Sequence, residues 1–406
     1  MREPPASSPT CQPVRRQLTA ADLFAGAGGL SVGLLRAGFK VISAVERDPQ
    51  AADTYQANHP ETKLIRADVT GVSADDLLTD RRRRLDLLAA GPPCQGFSIK
   101  GQRKGSHPAN AMIDQCLRLA RALQPRAILI ENVQGLLSLQ RGYYFDRLFT
   151  GLERIHTLGQ RLYDVSHEVL NAAEYGLPQV RRRLFIVAVE KGADWAWPTP
   201  TTAPGDVTLW DAIGDLPADT APADKMIEYR LSFEKASEYA RSLRAEFHAV
   251  TNHHTKRLEE LRLSRLEVLK EGQNRKHLPE DLRAGGHDTK YRRLRAESPA
   301  PTLTAHMGKD LSDFIHPKLA RTLTVREAAR LQGFPDAYEF LGSQASQFKQ
   351  VGNAVPVLLA KALGESLRDL LAVGRSRRSA PQRSRDTLSL SVNGLASGDS
   401  VNRIAI

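Results

Sequence analysis

Blocks of apolar residues alternate with amphipathic stretches along the first half of the chain. Short apolar runs predict buried strands, and the helical periodicity between them predicts helices. The expected strands cover residues 18–24, 41–45, 63–66, 85–90, 127–130 and 184–189, and the expected helices cover 31–37, 49–58 and 112–123. Strands that alternate with helices favour an α/β fold, with a mostly parallel sheet and helices on both of its faces.

The pattern changes after residue 189. Residues 190–290 are strongly polar with few β-branched runs, which predicts a separate and smaller module. Ordered patterning returns over 291–372 and closes with an amphipathic helix that we expect over 355–371. The two ends, 1–17 and 373–406, are rich in Pro, Ser or Arg and show no periodicity, so we expect disordered tails there.

Composition narrows the class of protein. The 406 residues are 41% hydrophobic and 25% charged, a balance that excludes a wholly disordered or fibrous chain. There is no run of 18 apolar residues and no apolar N-terminal segment, so we expect neither a membrane span nor a secretory signal. Three cysteines without a Cys-x-x-Cys pair predict neither a disulfide framework nor a cysteine-based metal site. We therefore expect a soluble, cytoplasmic protein without a metal.

The charge of the chain is strongly positive, at +11, with a pI near 9.6. A basic excess favours a polyanionic partner, and nucleic acid is the usual one. Part of the excess lies near the C-terminus, between residues 375 and 385, so a basic tail that serves solubility explains the charge equally well.

A glycine-rich turn follows the first predicted strand and precedes a predicted helix. Glycines allow a tight turn and a close approach to a ligand, and Glu46, 20 residues past Gly26, could bind ribose hydroxyls. The dinucleotide fingerprint Gly-x-Gly-x-x-Gly is broken, because Ser31 takes the place of its third glycine. A bound nucleoside and a simple strand–helix turn therefore both stay open. Asp68 could likewise contact an adenine edge or cap a helix.

A cysteine follows another predicted strand, in the stretch Gly91-Pro-Pro-Cys-Gln-Gly-Phe-Ser98. Two prolines restrict the backbone directly before Cys94, and ligands of parallel sheets bind at the carboxyl ends of strands. Because this is not the composition of a buried core, we expect Cys94 to be a nucleophile. Cys116 falls on the apolar face of a helix and is expected in the core.

A carboxylate and an arginine-rich strand supply further candidates. Glu131 follows the predicted strand 127–130 and could act as an acid or a hydrogen-bond partner. Strand alternation puts Arg182 on one face and three side chains on the other, Gln179, Arg181 and Arg183. Two guanidiniums on one face could hold a carboxylate, a carbonyl oxygen or a phosphate, although a solvated basic edge has the same pattern.

Seven motifs in order over residues 18–372 resemble those of the bacterial DNA (cytosine-5) methyltransferases. They are Asp22-Leu-Phe-Ala-Gly-Ala-Gly-Gly29, Gly91-Pro-Pro-Cys-Gln-Gly-Phe-Ser98, Glu131-Asn-Val133, Gln179-Val-Arg-Arg-Arg183, Pro299-Ala-Pro-Thr-Leu-Thr304, Leu323-Thr-Val-Arg-Glu-Ala-Ala-Arg-Leu-Gln332 and Val351-Gly-Asn-Ala-Val-Pro356. The resemblance implies an α/β, Rossmann-like methyltransferase domain that uses S-adenosylmethionine, over 18–189 and 291–372. It implies a smaller target-recognition domain over 190–290.

The resemblance also implies roles for individual residues. Cys94 would attack C6 of a flipped cytosine, and the target base would be held by Glu131, Arg181 and Arg183. Substrate contacts would come from Ser98 and Gln179. The cofactor would be bound by Phe24, Gly28, Gly29, Leu30, Glu46, Asp68, Val69, Pro93, Asn353 and Val355.

The implied substrate is double-stranded DNA. We expect a monomer associated with the nucleoid, with a cognate restriction endonuclease as a candidate partner. Three alternatives stay open: the same chemistry on RNA, a DNA-binding relative without catalysis, and a nicotinamide oxidoreductase. Two departures from the family pattern are the Val357 that follows Pro356 in place of a second proline, and residues 107–111, which lack the acid and arginine often found there.

Overall fold

The structure is a computed structural model. It describes residues 16–80, 82–93, 109–222, 225–244, 248–255, 258–283, 290–310 and 314–378. Most of the two expected tails lies outside these residues. At the first tail, Arg16 donates a hydrogen bond to Asp86 at 2.6 Å, so the ordered chain begins earlier than expected. At the other end, the last helix continues to Arg378, past the expected boundary at residue 372. Helical periodicity is weak there, since the residues after Val373 are Gly, Arg and Ser.

A seven-stranded sheet forms the centre of the fold. Its strands are β1 (Thr19–Leu23), β2 (Lys40–Val45), β3 (Lys63–Ile65), β4 (Leu87–Ala90), β5 (Ala127–Val133), β6 (Tyr163–Asn171) and β7 (Arg182–Glu190). The order is β3-β2-β1-β4-β5-β7-β6; the first five strands are parallel, and β7 runs antiparallel to β5 and to β6. The mostly parallel sheet is confirmed, and all six expected strands are present.

The helices are α1 (Gly29–Arg36), α2 (Pro49–Asn58), α3 (Ala109–Leu123), α4 (Tyr143–Glu153), α5 (Leu209–Ile213), α6 (Glu238–Arg244), α7 (Glu260–Val268), α8 (Met307–Asp310), α9 (Val325–Leu331), α10 (Gln344–Asn353) and α11 (Val357–Arg378). α3 and α4 pack on one face of the sheet, and α1 and α11 pack on the other. Successive strand side chains point to opposite faces, so each apolar strand contributes to both clusters. Within the described residues, no helix combines the length and the apolar composition that a membrane span requires.

The segment expected to form a separate module contributes to two apolar clusters. Residues of α5 and α6 pack with α9 and α10 and with Val32 of the first helix. A smaller cluster of its own joins α7 to later residues, and comprises Leu266, Leu269, Leu278, Tyr291 and Ile315. Because Tyr291 and Ile315 lie past residue 290, the cluster around α7 extends beyond the expected boundary of the module.

A buried ion network connects these helices. The guanidinium of Arg330, on α9, is fully buried and forms ion pairs with Asp215 and with Asp336, the latter at 2.6 Å. Asp215 also pairs with Arg244 at 3.3 Å, and Asp336 accepts a hydrogen bond from Tyr229. Arg330 thus joins the turn at Asp336 to Asp215, which lies 115 residues before the arginine in the sequence.

Replacing Arg330 should destabilise the fold strongly. Arg330→Ala leaves Asp215 and Asp336 buried without their main partner, and breaking a buried pair in this way costs about 3–5 kcal/mol. Urea unfolding measures the loss. The control is Arg66→Ala, because Arg66 pairs with Asp53 while both are about half exposed, and exposed pairs contribute about 0–1 kcal/mol. Equal losses in the two variants would contradict the prediction.

Candidate active site

The backbone after β1 turns through left-handed conformations. Phe24, Gly26 and Gly28 have φ of 59°, 55° and 88°, and α1 begins at Gly29. A Cβ on Gly26 would meet no heavy atom of the described residues within 4 Å, whereas a Cβ on Gly29 would lie 2.6 Å from the carbonyl oxygen of Val355. The turn therefore has one open side and one side packed against the C-terminal segment.

Glu46 lies at the carboxyl end of β2 and supports the turn. Its Oε2 accepts a hydrogen bond from the Gly26 amide at 2.8 Å, and its Oε1 accepts one from the Asp48 amide at 2.6 Å. Each carboxylate oxygen can accept more than one hydrogen bond, so these contacts orient the side chain and leave it able to bind hydroxyls.

Asp68 lies beyond the carboxyl end of β3. Its carboxylate accepts hydrogen bonds from the amide and hydroxyl of Thr70 and from Arg47 at 3.0 Å. The bonds from Thr70 and Arg47 lower the pKa of Asp68, which is therefore ionised at neutral pH. The capping role that the sequence left open is present, and the partly exposed carboxylate lies at the next strand end from Glu46.

The apolar residues expected at the cofactor site are largely part of the core. The side chains of Leu30 and Val69 are 3% exposed and pack on opposite faces of the sheet, and Val355 packs beside Leu30. Phe24 is partly buried. These residues contribute shape and backbone groups to the site, and Asn353, at the end of α10, is the exposed polar member.

Two aromatic side chains that the sequence did not indicate support Gly28. A Cβ on Gly28 would lie 2.6 Å from His59 Nε2 and 2.7 Å from Tyr338 Oη. His59 Nε2 and Tyr338 Oη are 3.0 Å apart, and Tyr338 donates to the carbonyl oxygen of Ala27. Burial lowers the pKa of His59 to about 4, so the ring is neutral at physiological pH. His59 and Tyr338 are 279 residues apart, and no local pattern links them.

A buried carboxyl group lies behind the turn. Asp22 is 1% exposed, its Oδ2 accepts a hydrogen bond from Ser31 at 2.6 Å, and its Oδ1 has no hydrogen-bond partner among the residues that the structure describes. The Ser31 hydroxyl is also 2.9 Å from that of Tyr55. Ser31, which breaks the dinucleotide fingerprint, therefore serves this polar cluster. Burial raises the pKa of Asp22 to about 7.

Glu131 pairs with Arg183 where β5 and β7 meet. Glu131 Oε1 is 3.1 Å from Arg183 Nε, and Glu131 is 9% exposed. Burial raises the pKa of Glu131, and the guanidiniums of Arg183 and Arg181 oppose that rise. Among the described residues, the atom that a Cβ on Gly91 would meet within 4 Å is Glu131 Oε2, at 3.8 Å. The absent side chain of Gly91 thus leaves space beside this carboxyl group.

The loop that leads to the cysteine is fixed between these two regions. The Gly91 amide donates to Leu23 at the end of β1, and the Asn132 side chain donates to the Pro92 carbonyl at 3.4 Å. Pro93 is partly buried. Cys94 and Ser98 lie outside the described residues, so the site is described up to the residue that precedes the expected nucleophile.

Alternation along the segment 179–183 is as predicted. Gln179 and Arg181 are buried on one face, together with the less buried Arg183. Arg182 lies on the other face and is exposed. Gln179 is fully buried, and its amide donates to Leu331 and accepts from the Leu303 amide, each at 2.9 Å. Both ends of the Gln179 amide are thus bound to the backbone, and a substrate contact of Gln179 stays a prediction.

Arg181 also has partners other than the expected ones. Its NH1 donates to Leu303, and its NH2 donates to Gly352 and Ala354, with distances of 2.8–3.0 Å to the three carbonyl oxygens. Arg181 therefore binds the C-terminal segment, whereas Arg183 forms the ion pair with Glu131.

The two regions form one crevice at the carboxyl ends of the strands. The glycine turn and two carboxylates follow β1, β2 and β3, and the Glu131–Arg183 pair lies where β5 and β7 meet. The strand order reverses between β1 and β4. Such a switch point is the usual ligand site of an open α/β sheet. Among the described ranges, no group of three or more His, Cys, Asp or Glu side chains is placed to hold a metal ion. This sheet, with its candidate site at the strand ends, defines a Rossmann-like α/β fold.

Comparison with known proteins narrows this class. The family described as C-5 cytosine-specific DNA methylase matches residues 18–369. The type II methyltransferase M.AgeI of Thalassovita gelatinovora is 33% identical over 427 residues, which cover 86% of this chain and 98% of the relative. M1.HphI of Haemophilus parahaemolyticus is 36% identical over 355 residues and covers 86% of each chain.

Solved structures agree with this result. A prophage-encoded DNA modification methyltransferase from E. coli superposes with a TM-score of 0.72 at 27% identity, covering 88% of this chain and 100% of that one. The methyltransferase EhMeth of Entamoeba histolytica shares the fold, with a TM-score of 0.58 at 15% identity over 87% of this chain and 99% of that one. The chain belongs to the C-5 cytosine-specific DNA methylase family and is a DNA (cytosine-5-)-methyltransferase.

The buried carboxyl of Asp22 should make stability depend on pH. Its pKa rises from 3.8 to about 7 on folding, so the folded protein keeps a proton that the unfolded chain releases. Its stabilising contribution is complete below about pH 4 and is lost as the pH rises to about 7. Relative to Asp22→Asn, the unfolding free energy of the wild type should fall by about 1.4 kcal/mol per pH unit in this window.

Urea unfolding at several pH values measures this difference. Asp53→Asn is the control, because Asp53 is half exposed and lies away from the cluster around Ser31. A difference between the wild type and Asp22→Asn that stays constant from pH 4 to pH 8 would contradict the raised pKa.

Proposed function

We propose that the protein transfers a methyl group from S-adenosylmethionine to C5 of a flipped cytosine in a specific double-stranded DNA sequence, through a covalent bond between Cys94 and C6. The observation that carries the proposal is the buried Glu131–Arg183 pair beside Gly91, three residues before Cys94 in the sequence. Glu131, on β5, and Arg183, on β7, thus form a pair that can hydrogen-bond to a base. The expected nucleophile follows β4, the strand next to β5, in the sequence.

The positions of the glycine turn and of the carboxylates in the crevice suit the binding of S-adenosylmethionine. The open side of Gly26 gives access to the turn, and Glu46 and Asp68 place carboxylates at the ends of neighbouring strands. Asn353 is exposed at the end of α10, two residues before the Val355 that contacts Gly29. Carboxylates at these positions suit ribose hydroxyls and an amino group of a nucleoside. When bound, the cofactor supplies an electrophilic methyl group.

The residues that would hold the cofactor are those expected from the sequence. Glu46 would bind the ribose hydroxyls and Asp68 the adenine edge. Backbone and apolar contacts would come from Phe24, Gly28, Gly29, Leu30, Val69, Pro93 and Val355, and a polar contact from Asn353. Gly28 acts here through its backbone, because its Cα packs against His59 and Tyr338.

Glu131 and Arg183 would hold the cytosine ring. Burial favours the protonated form of Glu131, which can donate a hydrogen bond to the ring nitrogen N3. Arg183 would donate to the exocyclic oxygen O2. Together they disperse the negative charge that develops on the ring when a nucleophile adds to it.

Cys94 would start the reaction. Its thiolate adds to C6, the ring loses aromaticity, and C5 becomes nucleophilic enough to accept the methyl group. Removal of the C5 proton by a base then lets the bond between sulfur and C6 break, which restores the aromatic ring and the thiolate. Both ring faces must be accessible, so the target base must leave the duplex.

Two observations support DNA as the substrate: the names of the relatives and the basic residues of the chain. The relatives M.AgeI and M1.HphI are named type II methyltransferases, which supports a role in restriction and modification with a cognate endonuclease. The basic residues within 190–290 support target recognition by that segment. A monomeric state and an association with the nucleoid stay predictions.

A mechanism-based probe tests the covalent step. A duplex with 5-fluorocytosine should trap the wild type in the presence of cofactor, because fluorine at C5 cannot leave as a proton. A band that resists denaturing electrophoresis reports the adduct. Cys94→Ala should form none and should transfer no labelled methyl group, while Cys116→Ala, which alters a cysteine of the core, should still form it. An adduct with Cys94→Ala, or wild-type labelling of RNA in place of DNA, would overturn the proposal.

Replacing Glu46 tests the cofactor site. Glu46→Gln removes the charge from hydrogen bonds worth about 1.5–3 kcal/mol, so cofactor affinity should fall about tenfold or more. The rate at saturating cofactor should change less. Titration calorimetry measures the affinity, with Glu61→Gln, at an exposed position of the same region, as the control. An unchanged affinity in Glu46→Gln would remove Glu46 from the site.

A further inference from the structure

The segment that closes the cofactor side of the crevice is held by one buried arginine. Arg181 is 1% exposed, and its NH2 binds the carbonyl oxygens of Gly352 and Ala354 at 2.9 and 3.0 Å. These residues flank Asn353, and Val355 follows them. The side chain of Arg181 thus holds the backbone just before Val355, the residue that contacts Gly29.

The backbone of Arg181 is also held by hydrogen bonds, close to the Glu131–Arg183 pair that would bind the base. The Arg181 amide donates to the Asn171 side chain at 3.2 Å, and its carbonyl accepts from Ala172 at 3.0 Å. Arg183 is two residues further along, on the same face, and forms the ion pair with Glu131. Residues two apart on an extended chain are separated by roughly 7 Å, a distance that changes little.

We propose that Arg181 is a positioning residue that sets the distance between the cofactor segment 352–355 and the Glu131–Arg183 pair. This inference rests on the proposed function, and it replaces the expected contact between Arg181 and the base. Arg181 acts through the backbone of the segment that it binds.

The chemistry of the side chain supports this role. The donors of a guanidinium lie in a fixed plane, so NH1 and NH2 reach three carbonyl oxygens at once, including that of Leu303 at 2.8 Å. A lysine has a single nitrogen and cannot reproduce this geometry. A second link, from Gln332 to Val351 at 2.8 Å, holds the preceding residue of the same segment. The contacts leave this segment little freedom to shift.

The test separates the two sides of the crevice. Cofactor affinity reports the segment 352–355. Exchange of the C5 hydrogen of cytosine with water, measured without cofactor as tritium release, reports the base side. In that reaction the Cys94 thiolate adds to C6, C5 takes a proton from water and loses its original one, and the thiolate leaves.

We expect opposite results for the two arginines. Arg181→Lys should raise the dissociation constant for S-adenosylmethionine about tenfold or more and leave tritium exchange within about threefold of the wild type. Arg183→Lys, the matched control, should lose most of the exchange and keep the dissociation constant within about threefold. Arg181→Gln, which buries no charge, is the second variant if Arg181→Lys does not fold.

Two results would overturn the inference: unchanged cofactor affinity in Arg181→Lys and Arg181→Gln, or equal losses of affinity and exchange, which a general loss of structure would produce. Failure of the proposed function is distinguishable. In that case the wild type itself would release no tritium from DNA and transfer no methyl group.

Discussion

The backbone of Gly29 lies against the backbone of Val355, so closely that a Cβ at Gly29 would be 2.6 Å from the carbonyl oxygen. This contact joins the start of α1 to the segment that precedes the last helix, and it closes one side of the glycine turn. α1 and α11 pack together on one face of the sheet, with Gly33 against Ala360. The glycines of the turn are required both by left-handed backbone angles and by this close packing.

Arginines connect distant parts of the chain inside the protein. Arg181, Arg326 and Arg330 are among its largest fully buried side chains. Arg330 binds two carboxylates, whereas Arg181 binds backbone carbonyls. Some of the arginines that make the chain basic are thus buried, and the net charge overstates the positive charge that the surface offers to a polyanion. The buried arginines explain how irregular segments with few regular strands keep a defined position.

Much of the fold follows from local sequence, and the remainder from contacts that local sequence does not contain. The six expected strands agree with the structure because burial on both faces gives continuous apolar runs. The three expected helices of the first half also agree, whereas α4 was not predicted. β6 was missed because it is a polar edge strand with several exposed residues. Alternation correctly placed Gln179 and Arg181 on one face. Their partners are more than 120 residues away in sequence, so the roles of both side chains were not predictable. His59 and Tyr338 were missed for the same reason.

The packing of Val355 against Gly29 has a consequence for synthesis of the protein. A ribosome that has translated the whole sheet has not yet produced the residues that close the glycine turn. The packing contact at Gly29 therefore cannot form until Val355 has emerged, long after the last strand of the sheet, which ends at Glu190. Formation of the sheet and closure of the turn are thus separate events during translation.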